Sequence, residues 1–311
     1  MPASTTSLET RWSRRVPVAA SRLLLVANAN ASGLAGRREL VDGASWLLRR
    51  LGARVETRLT TSIDELSALV HEDGGRRLVL LGGDGTLHAL ANLGGPRPEV
   101  ALLPAGRANN VARSLGIPTD LRAATALAVG GSSRPLDLIA VENGDARYLA
   151  VEGVSVGFHA LARAGYRGTN SADLVAGAAA GLGTLARFRP LCFAIDSDGA
   201  AEVATLSQLF VANLPLYSFG LRVAPAADPA DGLLDLVAIE AMSRASLVAT
   251  MVRLRRGTHL GQPGVRTWRA SRVRISTGGR SPVVGDSTVL GPGSVELTVE
   301  REALSLVAPS R

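Results

Sequence analysis

Two short stretches carry the residue types best suited to holding a phosphate. They are Leu80-Leu81-Gly82-Gly83-Asp84-Gly85-Thr86-Leu87-His88 and Leu103-Pro104-Ala105-Gly106-Arg107-Ala108-Asn109-Asn110-Val111-Ala112-Arg113. In each, an apolar run breaks into glycine and small polar residues and then resumes with helix formers. That pattern predicts a strand, a tight turn and a helix N-terminus. Backbone N–H groups at a helix start are a ready site for an anion. Asp84, between glycines, leaves a carboxylate that a ligand or a metal-bound phosphate can approach; a plain tight turn is the alternative use of the same residues. In the second stretch Asn109 is placed to cap the helix and turn its side chain toward a ligand. Arg107 and Arg113 can each pair with phosphate oxygens bidentately. The expectation is a nucleotide held by backbone rather than by lysine.

Three further acids stand in positions that ask for an explanation. Asp137 sits inside the apolar run Pro135-Leu136-Asp137-Leu138. If buried it needs a metal, an arginine or a catalytic network; a strand-edge acid facing water is the other reading. Asp231, in Pro229-Ala230-Asp231-Gly232-Leu233, suits a turn or a structural cation. Asp286, in Val284-Gly285-Asp286-Ser287-Thr288, reads locally as a turn acid.

The composition excludes several chemistries. All 34 basic residues are arginine, so neither a lysine-dependent phosphate loop nor a Schiff-base mechanism is available. Four histidines and the single Cys192 exclude a Cys/His zinc site and a disulfide within the chain, which predicts a reducing compartment. The net charge of +7 suits an anionic partner: phosphate, acidic lipid or nucleic acid. Nucleic acid is not expected, because aromatics make up only 4% of residues and no basic cluster is interleaved with them. Ser13-Arg14-Arg15-Val16 resembles a twin-arginine export signal, but Arg22 interrupts the apolar run that follows. No stretch is long and apolar enough to span a membrane. The expected location is cytoplasmic.

These residues need a scaffold, and its rhythm is readable. From 23 to about 130 the chain alternates apolar runs (Leu23–Ala27, Arg54–Leu59, Leu78–Leu81, Val100–Leu103) with helical stretches at 36–51, 62–72, 86–93, 109–115 and 120–129. This predicts a doubly wound parallel α/β domain over 21–132, behind a flexible lead at 1–20. After Gly130-Gly131-Ser132-Ser133 the rhythm changes. The runs Leu136–Val141, Arg147–Val151, Leu191–Ile195, Val203–Val211, Leu233–Ile239, Arg272–Ile275, Val283–Val284 and Val295–Val299 predict an antiparallel, sandwich-like β domain over 133–300. Helices near 171–187 and 243–256 interrupt it, and a strand in 301–311 is expected to return to the first domain.

Taken together, Gly82-Gly83-Asp84-Gly85-Thr86, Asn109-Asn110-Val111-Ala112-Arg113 with Ser114-Leu115-Gly116-Ile117-Pro118, and Asp231-Gly232-Leu233-Leu234-Asp235 resemble the diacylglycerol kinase catalytic family. That family includes bacterial lipid kinases and the sphingosine kinases. Asn28 to Gly33 and Val156-Gly157-Phe158 are weaker matches. The resemblance implies a nucleotide domain and a β-rich lipid domain, with ATP and Mg²⁺ in the cleft between them. It further implies transfer of the γ-phosphoryl group to the free hydroxyl of diacylglycerol or a related lipid. Asp286 would be the general base and Asp84 its catalytic companion. Asn28, Gly82, Gly83, Asp84, Gly85, Thr86, Gly106, Arg107, Asn109 and Arg113 would line the nucleotide, and Asp84, Asp137 and Asp231 would bind metal.

The chain departs from the family's pattern in four places, one of them Ala89, near a position where an acid is common. Asp286-Ser287-Thr288 stands where Asp-Gly-Glu is usual, Gly106-Arg107 where Gly-Thr is, and the neutral Asn110 where a fourth carboxylate is. A nucleotide- and lipid-binding protein without turnover is therefore the rival reading. An NAD kinase-like enzyme is a second, without the later Gly-rich Thr/Ser segment of that family. The expected partners are ATP, a lipid substrate, the surface of an anionic membrane at about 1 kcal/mol per arginine, and a second copy of the chain.

Overall fold

The computed structural model describes residues 22–29, 38–72, 75–95, 97–166 and 174–310. The expected lead at 1–20 and the loop from Asn30 to Gly33 lie outside them. Strand–helix units follow one another through the first domain: β1 (Arg22–Asn28), α1 (Arg38–Arg50), β2 (Arg54–Thr60), α2 (Ile63–His71), β3 (Arg77–Gly82), α3 (Asp84–Ala91), β4 (Glu99–Pro104), α4 (Asn110–Ser114) and α5 (Leu121–Gly130). The strands pair in parallel in the order β2-β1-β3-β4. Along β1, Leu24 and Val26 pack with Leu66, Leu87 and Val111 on the α2–α3–α4 side. Leu23, Leu25 and Ala27 pack with Val41, Leu48 and Ala124 on the α1–α5 side. Helices cover both faces, which is why these strands read as unbroken apolar runs.

Antiparallel pairing takes over from β5 (Ser133–Asn143) onward. The second domain continues with β6 (Ala146–Ala150), β7 (Gly153–Gly157), α6 (Phe158–Ala164), α7 (Leu174–Arg187), β8 (Leu191–Ser197), β9 (Ala200–Ala212), β10 (Leu234–Glu240), α8 (Arg244–Arg256), β11 (Val265–Ala270), β12 (Arg272–Ser276), β13 (Pro282–Gly285), β14 (Thr288–Pro292) and β15 (Val295–Val307). Its sheet faces enclose Ile139, Val156, Phe193, Leu209, Leu236 and Leu297, among others. The architecture is a mixed α/β domain followed by a β-rich, sandwich-like one. The strands β7, β11 and β14 and the helix α6 are additions to the sequence reading. Each is short or alternates too weakly to stand out from its neighbours.

One strand joins the two halves. β15 pairs with β5 on both sides of a register shift between Glu300 and Leu304, and its first part pairs with β12 as well. Beyond the shift, Ser305 and Leu306 run parallel to Glu99 and Val100 of β4. Asp137 holds the shifted segment. Its Oδ1 accepts the Glu302 N–H at 2.7 Å and its Oδ2 accepts the Gly232 N–H at 2.9 Å. The buried acid is thus satisfied by backbone donors, a fourth solution beside the metal, the arginine and the catalytic network.

Candidate active site

The two glycine elbows meet back to back at the carboxyl ends of β3 and β4. A Cβ at Gly106 would lie 2.6 Å from the Gly83 Cα, so the chains approach as closely as only glycine permits. Ala105 N–H donates to the Gly82 carbonyl at 2.8 Å. Behind them Thr86 is buried, its Oγ1 occupying the space a side chain at Gly82 would need. Asn28, at the end of β1, is beside Gly82 through the Ala27–Leu81 pairing. The neighbours β1 and β3 lead to connections in opposite directions, and this switch point is where ligands of such sheets bind.

Asp84 closes the arrangement from one elbow to the other. Its Oδ2 accepts the Asn110 N–H and its Oδ1 the Val111 N–H, each at 3.0 Å. The first residue of α3 therefore caps α4, placing a negative charge at that helix start. Asn109 takes a left-handed conformation (φ 47°) at the N-cap position. Its amide exchanges two 2.9 Å hydrogen bonds with the Gly106 backbone. It shapes the turn, in contrast to the expectation that it turns toward a ligand. Gly85 and Arg107 are exposed at the rim. Arg113 brings its Nη1 against the 218–220 loop, 3.2 Å from the position a Cβ would take at Gly220.

Opposite the elbows, three ionisable side chains are buried together. His88 of α3 has its Nε2 3.3 Å from Glu152 Oε1 and 3.7 Å from Asp286 Oδ2. Burial alone would lower its pKa, but the charges of Asp286, Glu152 and Asp84 outweigh that and raise it to about 9. The Glu152 carboxyl is driven up by burial, with His88 opposing the shift. Glu152 Oε2 accepts the Asn110 Nδ2 amide and the Ser218 N–H, both at 3.0 Å. The same Asn110 amide also donates to the Ser218 carbonyl. An aspartate at 110 would set two carboxylates against each other here, and the neutral amide supplies a donor instead.

Asp286 occupies the first position of the two-residue turn between β13 and β14, with φ 51°. Its carboxylate folds inward. Oδ1 accepts Glu152 N–H (2.7 Å) and Gly153 N–H (3.2 Å), and Oδ2 accepts Val151 N–H (3.0 Å) and the Tyr148 hydroxyl (3.2 Å). The Tyr148 phenol pKa is raised by burial and then by the Asp286 charge, so its proton stays on.

Beyond Ser218 the wall becomes apolar. The Ser218 hydroxyl meets His159 Nε2 at 3.1 Å, and the other imidazole nitrogen meets Ser155 at 2.9 Å. Burial, and then the Arg163 charge, lowers the His159 pKa to about 4. Next to it a slot of about 210 Å³ is lined by Phe158, Tyr166, Gly181, Phe219, Leu221 and Met251, among others.

The three acids assigned to metal do not converge. Asp84 caps α4, Asp137 holds β15, and Asp231 bonds the Leu233 N–H at 3.0 Å and pairs with Arg269. Among the described residues no group of three or more His, Cys, Asp or Glu side chains is arranged to hold an ion. One oxygen does await a partner. Asn110 Oδ1 is buried with no hydrogen bond among the described residues, on the residue Asp84 caps.

Residues 22–141 match the profile of the diacylglycerol kinase catalytic domain, and residues 152–308 that of the YegS C-terminal NAD kinase beta sandwich-like domain. A diacylglycerol kinase of Mycobacterium tuberculosis is 31% identical over 238 residues, covering 75% of this chain and 76% of the relative. The chain belongs to the diacylglycerol kinase family. Membership makes it a kinase. The Bacillus subtilis diacylglycerol kinase is 27% identical over 237 residues, 72% of this chain and 76% of that one. A crystal structure of a diacylglycerol kinase from Bacillus anthracis superposes with a TM-score of 0.68 at 17% identity, covering 93% of this chain and 97% of that one. At that identity the likeness is one of fold.

Within this diacylglycerol kinase-family site, sequence reasoning passed over His88, Tyr148, Glu152, His159 and Ser218. Glu152 carried a usable signal, an acid in the apolar run Leu149-Ala150-Val151-Glu152-Gly153-Val154, the same one that singled out Asp137. His88 carried none, since its partners lie 64 and 198 positions further along the chain by number.

Proposed function

We propose that the protein transfers the γ-phosphoryl group of ATP to the free hydroxyl of a lipid, diacylglycerol or a related alcohol, in the cleft between its two domains. The observation that carries this reading is the Asp84 cap. It locks the two glycine elbows of the nucleotide side together, and Asn110, which it caps, donates to Glu152 of the second domain, beside His88 of α3 and Asp286. Phosphoryl transfer asks mostly for positioning and charge neutralisation. Backbone N–H groups of the elbows, with Arg107 and Arg113, supply positive potential toward phosphates. Magnesium binds through one or two protein oxygens plus phosphates rather than in a closed protein cage, and Asp84 with Asn110 Oδ1 fits that donor chemistry. When bound it would neutralise charge on the transferred group.

Asp286 is proposed to accept the hydroxyl proton, a role worth about 10²–10⁴-fold. Of its four donors, the Tyr148 hydroxyl is a side chain that can be exchanged for the substrate hydroxyl, whereas the other three are backbone. The apolar slot beyond Ser218 suits an acyl or alkyl chain. Peripheral attachment to an anionic membrane on the cytoplasmic side follows from the same reading. Among the described residues no helix is long and apolar enough to cross a membrane.

A binding protein without turnover is the second reading, favoured by one observation: both oxygens of Asp286 are already doubly engaged. Transfer of labelled phosphate from ATP to a panel of diacylglycerol, sphingoid base, phosphatidylglycerol and long-chain alcohol separates the two. Label in one lipid, lost in Asp286→Asn, is the expected result. Nucleotide binding with no transfer to any lipid would select the second reading.

A further inference from the structure

The helices α7 and α8 flank the apolar slot and have an unusual surface. Neither contains an acidic residue in Leu174–Arg187 or Arg244–Arg256. On α8, Leu247, Thr250 and Leu254 are buried against the β domain, leaving the stripe of Arg244, Val248, Val252 and Arg255 facing out. Val248 and Val252 are 44% and 47% exposed. On α7, Ala178 and Gly181 line the slot while Leu182 is 67% exposed and Arg187 closes the helix. The two helices are tied to the same loop, since Arg255 donates to the Phe219 carbonyl at 2.8 Å and Gly177 lies against the Phe219 ring. Aliphatic side chains flanked by arginines, with no acid between them, are the make-up of a surface that lies on an anionic bilayer.

We propose that the α7–α8 face is the membrane-docking surface of this kinase, with Leu182, Val248 and Val252 entering the headgroup layer of an anionic bilayer and Arg187, Arg244 and Arg256 pairing with lipid phosphates. The charge complementarity selects acidic lipid. Both helices line the slot, α7 through Gly177 and Gly181 and α8 through Met251, so docking this face would set the slot beside the bilayer. The proposal rests on the lipid-kinase reading for its purpose, but its geometry is independent of it.

Sedimentation with vesicles of phosphatidylcholine, alone and mixed equally with phosphatidylglycerol, tests it. The wild-type protein is expected to bind the mixed vesicles and release at high salt. Arg187→Gln with Arg244→Gln and Arg256→Gln should weaken binding about fivefold per arginine, about a hundredfold in all. Val248→Asp with Val252→Asp should abolish it. Both variants should keep wild-type nucleotide binding and unfolding temperature, and wild-type transfer to lipid in detergent micelles. Arg54→Gln with Arg58→Gln, on the far strand β2, should sediment as wild type. Binding unchanged in the first variant, or no wild-type binding to the mixed vesicles, overturns the proposal. So does binding to duplex DNA through the same arginines with vesicles ignored. Absence of transfer in micelles with vesicle binding intact overturns the proposed transfer to lipid and leaves the docking surface standing.

Discussion

His88 lies 3.3 Å from Glu152, an imidazole enclosed with a carboxyl group where two domains meet. Neither group is tolerable there alone, because an unpaired buried charge is far more costly than the pair. Replacing His88 by Leu should destabilise the protein by about 3–5 kcal/mol, read from denaturant unfolding at neutral pH. His88→Arg should recover part of that by keeping a cation.

The same pair gives a pH dependence with a definite sign. The folded-state pKa of His88 is raised from 6.5 to about 9. Its contribution is therefore complete below about pH 6.5 and is lost as pH rises through about 9. Unfolding free energy measured across that window should fall in the wild type and stay flatter in His88→Leu. His159 acts at the other end. With its pKa lowered to about 4, it stays neutral when folded and takes a proton when unfolded, so stability should fall between about pH 6.5 and 4. A phenylalanine at 159 should remove that acid sensitivity. A profile unchanged by both substitutions would reject these assignments.

Asn110→Asp places a carboxylate where the amide now donates, and here it should be harmful. The new charge would face Glu152, which now accepts the Asn110 amide at 3.0 Å. A loss of about 2 kcal/mol is expected at pH 8, with recovery at pH 5 as one carboxyl takes a proton. Urea titrations at the two values check it. Equal stability at both would mean that Glu152 turns away.

Gly106→Ala tests the elbow contact. Its Cβ would press on the Gly83 backbone at 2.6 Å, where neither chain can yield without moving a strand end. Nucleotide affinity should drop at least tenfold by calorimetry, about 1.4 kcal/mol. Gly85→Ala, whose Cβ meets nothing within 4 Å, should bind as wild type.

Asp84→Asn keeps an acceptor for one N–H of α4 but loses the charge. About 1 kcal/mol of stability should go with it, alongside a larger fall in phosphate transfer. Thermal unfolding and the labelled-ATP assay, run on the same preparation, separate the two effects.

Much of the first domain was legible because its signals are local. Strands covered on both faces are continuous apolar runs, and helix starts carry their own caps, as Asp120 does for α5 with an acceptor for Ala123 N–H at 2.9 Å. The elbows were legible for the same reason. The second domain was harder. The helix α6 follows Val154-Ser155-Val156-Gly157 with no polar break, so its start is invisible to periodicity. The site was half legible. Asp84, Asp286 and Asn110 stand in motifs, whereas His88 and Glu152 acquire meaning only from each other. Asp137 shows the converse, a conspicuous acid satisfied by backbone donors.

The returning strand β15 has a consequence for the lineage of such enzymes. A fragment ending near residue 132 would leave β4 with a bare edge, and a fragment beginning there would carry Leu304–Val307 with no β4 to rest on. The two lobes are therefore not interchangeable modules. A recombination event at the domain boundary would leave both products incomplete, so the α/β half and the β-rich half must be inherited, and varied, as one piece.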